Sequence, residues 1–327
     1  HHRAMNPLRP DDQVARAAQR AARYLIDWTQ RVHGAVMQAI GGRDHERALD
    51  LARRYAQQAN LIQTYFCELN LREVFRQRGE LLAVHFGAAG LPLLQARPPR
   101  WQAAQGDRIR LGVYVQQLGP GTENFFTLAH LEGLDRSRLD ITLFCSSVTG
   151  HPVDDVMRRC ADRTVTLQGQ PLGAIVHAIR AAELDVLLIG NNAAAVTNPA
   201  AVLAQCRLAP LQIASVSSPV TTGGTQVDVM LTSTWNEPNP DAPEHFVERL
   251  ERLDGSINYY SYQHDTDRAT LAPSRTSLGI GEQDLVLFSG ANFFKLVPEQ
   301  TACWVRILQQ LPGSVLLLMP FNPNWAS

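Results

Sequence analysis

Residues 185–217, DVLLIGNNAAAVTNPAAVLAQCRLAPLQIASVS, decide how the chain is organised. An apolar run at 185–190 ends in a glycine and a polar loop, a helix-like segment at 199–205 opens on Pro199, and a second β-rich run fills 211–217. Strand, crossover helix and strand at this spacing are the repeating unit of a parallel sheet. Its strands stay apolar along their length because helices cover both faces.

The same alternation continues on both sides of this unit. Further strands are expected at 109–115 (IRLGVYV), 140–147 (DITLFCSS), 164–169 (TVTLQG) and 227–233 (VDVMLTS), with helices at 122–134, 152–160 and 171–182. That pattern predicts a Rossmann-like domain. Upstream, Val14, Ala18, Ala21, Leu25, Trp28 and Val32 recur every three or four residues, the stripe of a buried helix face. GGRD at 41–44 breaks that helix, a second is expected over 44–60, and more helix over 63–86. The paired prolines of ARPPRWQAAQGDR (96–108) then mark a boundary.

Downstream, the proline-rich NEPNPDAPEHF (236–246) and the tyrosine-rich INYYSYQHD (257–265) read as a crossing between lobes. DLVLFSG (284–290) and SVLLLMP (314–320) then flank a helix at 298–311, the opening of another α/β unit. Thr301, Trp304, Ile307 and Leu308 are expected on the buried face of that helix. The division is therefore an all-helical domain at 6–105, a Rossmann-like lobe at 106–235, an interlobe crossing at 236–277 and the beginning of a second Rossmann-like lobe at 278–327. Two strands do not make a stable open sheet. Further chain, or a second polypeptide, is expected to complete it.

Composition narrows the function classes. With 30 basic and 31 acidic residues the chain shows no broad electrostatic footprint for nucleic acid or an anionic membrane. Its five cysteines are scattered without a CxxC, which suits reduced thiols in the cytoplasm. No HExxH pair suggests zinc. No apolar run approaches the roughly 20 residues that span a bilayer.

In open α/β sheets, ligands sit beyond the C-terminal ends of the strands, so the loops there are the candidates. In QQLGPGTENFF (116–126), Thr122 can cap the next helix, and Glu123 either sits in its first turn, bonds a sugar hydroxyl or acts as a base. The loop is no dinucleotide fingerprint, since GxGxxG would need glycine at Asn124. GNNAAAVTNP (190–199) offers the amides of Asn191 and Asn192, which suit a sugar, an acceptor backbone or the loop's own peptide groups. In SVSSPVTTGGTQVD (215–228), Thr221, Thr222 and Gly223 can form either an anion cradle or a structural turn. In ANFFKLVPEQ (291–300), the chain's only lysine, Lys295, stands between an expected strand and an expected helix N-terminus. A diphosphate and a solvated loop are the two readings of it.

Three segments resemble one family. Residues 278–327, with a strand, a polar turn carrying Lys295 before Leu296, Val297 and Pro298, a helix with Trp304 and a second strand, are similar to the start of the C-terminal lobe of the protein O-GlcNAc transferases and the HMW1C-like cytoplasmic protein glycosyltransferases. RLAPLQIASVSSPVTTGGTQVDVMLTS (207–233) and IRLGVYVQQLGPGTENF (109–125) resemble segments of the same family's first lobe. The resemblance implies an α/β chain with GT-B type Rossmann-like lobes preceded by an all-helical N-terminal domain. It implies a metal-independent enzyme that transfers a sugar with inversion from a UDP-sugar to a protein or peptide, with no separate cofactor. Lys295 matches the family lysine at the nucleotide diphosphate, and Asn292 matches the amide near it. The expected catalytic groups are Glu123 and Lys295, and the expected donor-binding groups are Lys295, Asn292, Thr221, Thr222 and Gly223. Where the family carries histidines, after the first strand and in the turn before the hydrophobic–Asp pair, this chain has residues such as Gly121 and Gly223. A glycine moves no proton, so a non-catalytic homologue that binds a glycosyltransferase partner is the rival expectation.

Overall fold

A computed structural model describes residues 12–91, 108–265, 273–291, 296 and 298–318. Three helices come first: α1 (Asp12–Gly41), α2 (His45–Gln58) and α3 (Arg72–Ala88). GGRD ends α1 as expected, and Asp44 opens α2 by accepting the Arg47 N–H at 3.1 Å, the ordinary job of an N-cap carboxylate. Val36 and Ala39 of α1, Ala48, Ala52 and Tyr55 of α2 and Leu81 of α3 close a shared core.

Seven strands follow: β1 (Ile109–Leu118), β2 (Leu139–Val148), β3 (Arg163–Thr166), β4 (Val186–Ile189), β5 (Leu211–Ser215), β6 (Val229–Ser233) and β7 (Arg249–Leu253). Between them run α4 (Thr122–Glu132), α5 (Pro152–Arg159), α6 (Leu172–Ala181) and α7 (Pro199–Leu203). The sheet order is β3-β2-β1-β4-β5-β6-β7 and every neighbouring pair is parallel. Alternate residues feed two cores. Tyr114, Phe144, Leu187 and Ile189 pack with Ile175 and Ile179 of α6 and Val202 of α7. Val113, Val115, Ile141 and Leu143 pack with Leu128 of α4 and Val153 and Met157 of α5.

The stretch expected as an interlobe crossing contributes β7, paired with β6 from Val229↔Arg249 to Ser233↔Leu253. RLERL hides as a strand because it lies at the edge of the sheet, where the exposed Arg249 and the half-buried Glu251 and Arg252 put charge that discourages further pairing.

Two compact units divide the chain, one holding 26–65 and 69–266, the other 1–25, 66–68 and 267–327. In the second, β8 (Leu285–Ser289) and β9 (Ser314–Leu318) pair in parallel around α8 (Pro298–Gln310). The buried face expected for α8 is only partly realised: Thr301, Trp304 and Leu308 are half-buried, and Ile307 is exposed. A pair of strands is too narrow to cover a helix face. Among the described residues, no helix is long and apolar enough to cross a membrane.

Candidate functional site at the C-terminal edge of the sheet

The order of the larger sheet reverses between β1 and β4, because β2 and β3 lie on one side of β1 and β4 to β7 on the other. This is the place where open sheets bind ligands. Here the loops after β1 and β4 are tied to each other. Asn191 accepts the Gln116 N–H through Oδ1 and donates through Nδ2 to Glu123, whose other oxygen accepts the Asn192 N–H at 3.1 Å. Asn192 Oδ1 accepts the Ala194 N–H at 2.9 Å and the Tyr65 hydroxyl at 3.3 Å.

The helices close the crevice from behind. Leu61 N–H donates to Ala195 O at 2.9 Å, and the fully buried Arg78 donates to Ala193 O at 3.2 Å, Val196 O at 2.8 Å and Thr222 O at 3.5 Å. Burial pushes the Tyr65 hydroxyl up to about 12, against the lowering effect of its bond to Asn192. Burial likewise lowers the Arg78 guanidinium, whose hydrogen-bond partners among the described residues are all carbonyl oxygens. Glu123 therefore stands as a double acceptor that fixes two loops against each other.

The turn after β5 is satisfied internally as well. Thr221 donates its hydroxyl to Glu248 at 2.6 Å and accepts the Val247 N–H at 3.0 Å. Thr222 donates its N–H to Glu248 at 2.9 Å and its hydroxyl to the same oxygen, while Oγ1 accepts the Gly224 N–H at 2.9 Å. Both threonines and Glu248 are buried. The anion in this cradle is the protein's own carboxylate. Gly223, at φ 64°, meets α3: a Cβ there would lie 1.9 Å from Phe75 O, and one on Gly79 would lie 1.8 Å from Gly223 O. No side chain fits at 223, a histidine included.

Beyond β5 and β6 the same edge opens into a cavity of ≈ 260 Å³. Its apolar wall is built by Met230 and Phe246, both buried, with Val216 and Pro219. Met230 and Thr232, two apart on β6, share one face of the strand. The polar side is Asn236, Glu237 and Asn258. Asn236 Oδ1 accepts the Ser233 hydroxyl at 2.8 Å, and the Glu237 N–H donates to Ser233 O at 3.0 Å. Partial burial raises the Glu237 carboxyl, with His245 and Arg252 pulling weakly the other way. Ser218, on the cavity wall, accepts the Ala193 N–H at 3.0 Å and so joins the cavity to the loop network.

No family model matches the chain. In sequence it is 32% identical over 114 residues to the probable UDP-N-acetylglucosamine-peptide N-acetylglucosaminyltransferase SPINDLY of Solanum lycopersicum, a match covering 35% of this chain and 12% of that protein. It is 23% identical over 284 residues to the probable transferase SEC of Arabidopsis thaliana, 84% of this chain and 26% of that one. The fold is similar to a mutant O-GlcNAc transferase of Thermobaculum terrenum, with a TM-score of 0.58 and 20% identity over 93% of this chain and 57% of that one. The chain is a distant relative of the GT-B glycosyltransferases. It spans between 12% and 26% of the length of these two curated relatives. Its Rossmann-like parallel sheets with helices at the N-terminal side are a GT-B-like architecture.

The described part of the expected site falls in two places. Glu123 is at the order reversal, Thr221, Thr222 and Gly223 form the buried turn, and Asn292 and Lys295 lie outside the described residues. Among the described residues no group of three or more His, Cys, Asp or Glu side chains is placed to hold a metal ion. Sequence reasoning missed Arg78, Glu237 and Glu248. An acidic residue inside a proline-rich stretch carries no periodic signal, and Glu248 reveals its role only through Thr221 and Thr222, 26 or more residues upstream.

Proposed function

We propose that the chain is part of a metal-independent, inverting glycosyltransferase that moves a sugar from a UDP-sugar to a protein or peptide side chain. The observation that carries this is the likeness to an O-GlcNAc transferase fold over 93% of the chain. In an inverting transfer the acceptor side chain attacks the anomeric carbon and releases its proton to a base or to solvent, the bond to the diphosphate breaks on the opposite face, and negative charge grows on departing UDP. Lys295 and the N-terminal end of the α8 dipole are the features of this chain suited to that charge. Asn292 supplies an amide to the nucleotide. Glu123 acts as a positioning residue, because both of its oxygens already hold the loop after β4.

Calorimetric titration of UDP into the protein and its Lys295→Ala variant tests the proposal. The expected result is saturable binding, weakened in the variant by about 1–3 kcal/mol, the cost of removing one partner of a charged hydrogen bond. Absent binding to the complete, folded assembly, or binding indifferent to the substitution, overturns the donor site. The rival reading, a non-catalytic homologue that binds a glycosyltransferase partner, then gains, and it already has the closed position at Gly223 in its favour.

A further inference from the structure

We infer that the cavity beyond β5 and β6 is an organic-cation site, shaped for an alkylammonium or guanidinium group entering beside Glu237. The inference stands on this cavity and not on the glycosyl-transfer reading. Size sets the first limit. At ≈ 260 Å³ the cavity falls below the ~300–1,000 Å³ of pockets for drug-sized ligands, so it suits one side chain or a small amine rather than a nucleotide sugar.

Charge sets the second limit. Among the described residues, Glu237 is the sole charged member of the lining, so an anion would meet repulsion and a cation attraction. Its carboxyl makes no hydrogen bond or ion pair among the described residues, although it is half-buried. A carboxylate partly removed from water is stabilised most by a charged donor. The two basic groups that act on it from a distance, His245 and Arg252, are not in contact with it, and Arg252 spends an Nη2 hydrogen on Asn239 O at 2.7 Å. Burial raises the Glu237 carboxyl, and a cation held close to it would act in the opposite direction.

The remaining lining fits the rest of such a ligand. Met230 and Phe246 offer an apolar surface for methylene groups and a ring face for the cation. Thr232, Asn236 and Asn258 offer oxygens for its remaining N–H groups. Asn236 and Asn258 are exposed, so the polar side of the lining is open to solvent.

The shared chemistry is a cation on a short aliphatic stem, and its source is either a basic side chain of a peptide or a free amine. N-acetyl-lysine methylamide and n-butylammonium, each paired with its neutral counterpart N-acetyl-norleucine methylamide or n-butanol, are titrated calorimetrically into the protein at constant ionic strength. Each cation is expected to bind about tenfold or more tightly than its neutral counterpart, and Glu237→Gln is expected to erase that difference. Tighter binding of the lysine derivative than of butylammonium assigns the site to peptides; equal or weaker binding assigns it to free amines. In the wild-type protein, cation affinity falls as the pH is lowered through the titration of Glu237, because the protonated carboxyl no longer attracts the cation. This pH series also serves if the glutamine variant fails to fold. Cations binding no better than their neutral counterparts, no binding by any probe, or an affinity unchanged in Glu237→Gln and flat with pH overturns the inference.

Discussion

Glu248 sits 4% exposed to solvent, where the Thr221 hydroxyl and the N–H and hydroxyl of Thr222 all point at it. A buried carboxylate is tolerable only when its lone pairs are met by donors, and this one is. Glu248→Gln keeps the shape but turns an NH2 group toward donors. We expect a loss of about 1–3 kcal/mol, read as a lower urea midpoint at unchanged slope. UDP affinity should stay as it was, since these groups face inward. In the sequence, TTGG is a sound signature of backbone and hydroxyl donors around an anion. Which anion fills it could not be read there, because the partner lies 26 residues on and only tertiary folding brings it back. Lys295 shows the converse: its singularity and its place before an expected helix N-terminus are visible in the sequence, and the resemblance adds to their weight.

At the scale of elements, most of the first unit was legible because helices and strands alternate with clean periodicity and Pro152 and Pro199 open their helices at the first turn. The contact of α3 with the turn after β5 was not legible. It depends on Gly79 and Gly223, which lie 144 residues apart and let two backbones meet. Gly79→Ala pushes a methyl group into a carbonyl that cannot rotate away. The expected cost is at least the about 1–3 kcal/mol of ordinary overpacking, seen as a lower thermal midpoint together with faster amide exchange in α3. Gly34→Ala is the matched control on α1, where an added Cβ meets nothing within 4 Å. There the substitution should stabilise by about 0.4–1 kcal/mol through helix propensity and a less flexible unfolded chain. If Gly79→Ala behaves like Gly34→Ala, the backbone contact does not exist in solution.

At the scale of the molecule, the two units differ in how much they bury. The larger sheet has covered cores on both faces, and Ala56 of α2, Leu82 of α3 and Ala201 of α7 join its helices to the preceding helical segment. In the other unit none of the ten residues of β8 and β9 is buried, and Leu285 and Phe288 are 51% and 61% exposed. A parallel pair of strands gains little from hydrogen bonds that water can replace, and stability of a sheet comes from its covered face. Local opening of β8 and β9 should therefore cost far less than opening of β1, β4 and β5, whose amides are released only by global unfolding. Hydrogen exchange followed by mass spectrometry tests this directly. Peptides covering 285–289 and 314–318 should exchange at least about a hundredfold faster than those covering 111–115 and 186–189, a difference near 2.7 kcal/mol in opening free energy. Equal protection in both sets would mean that β8 and β9 gain in solution a cover that their own unit does not provide.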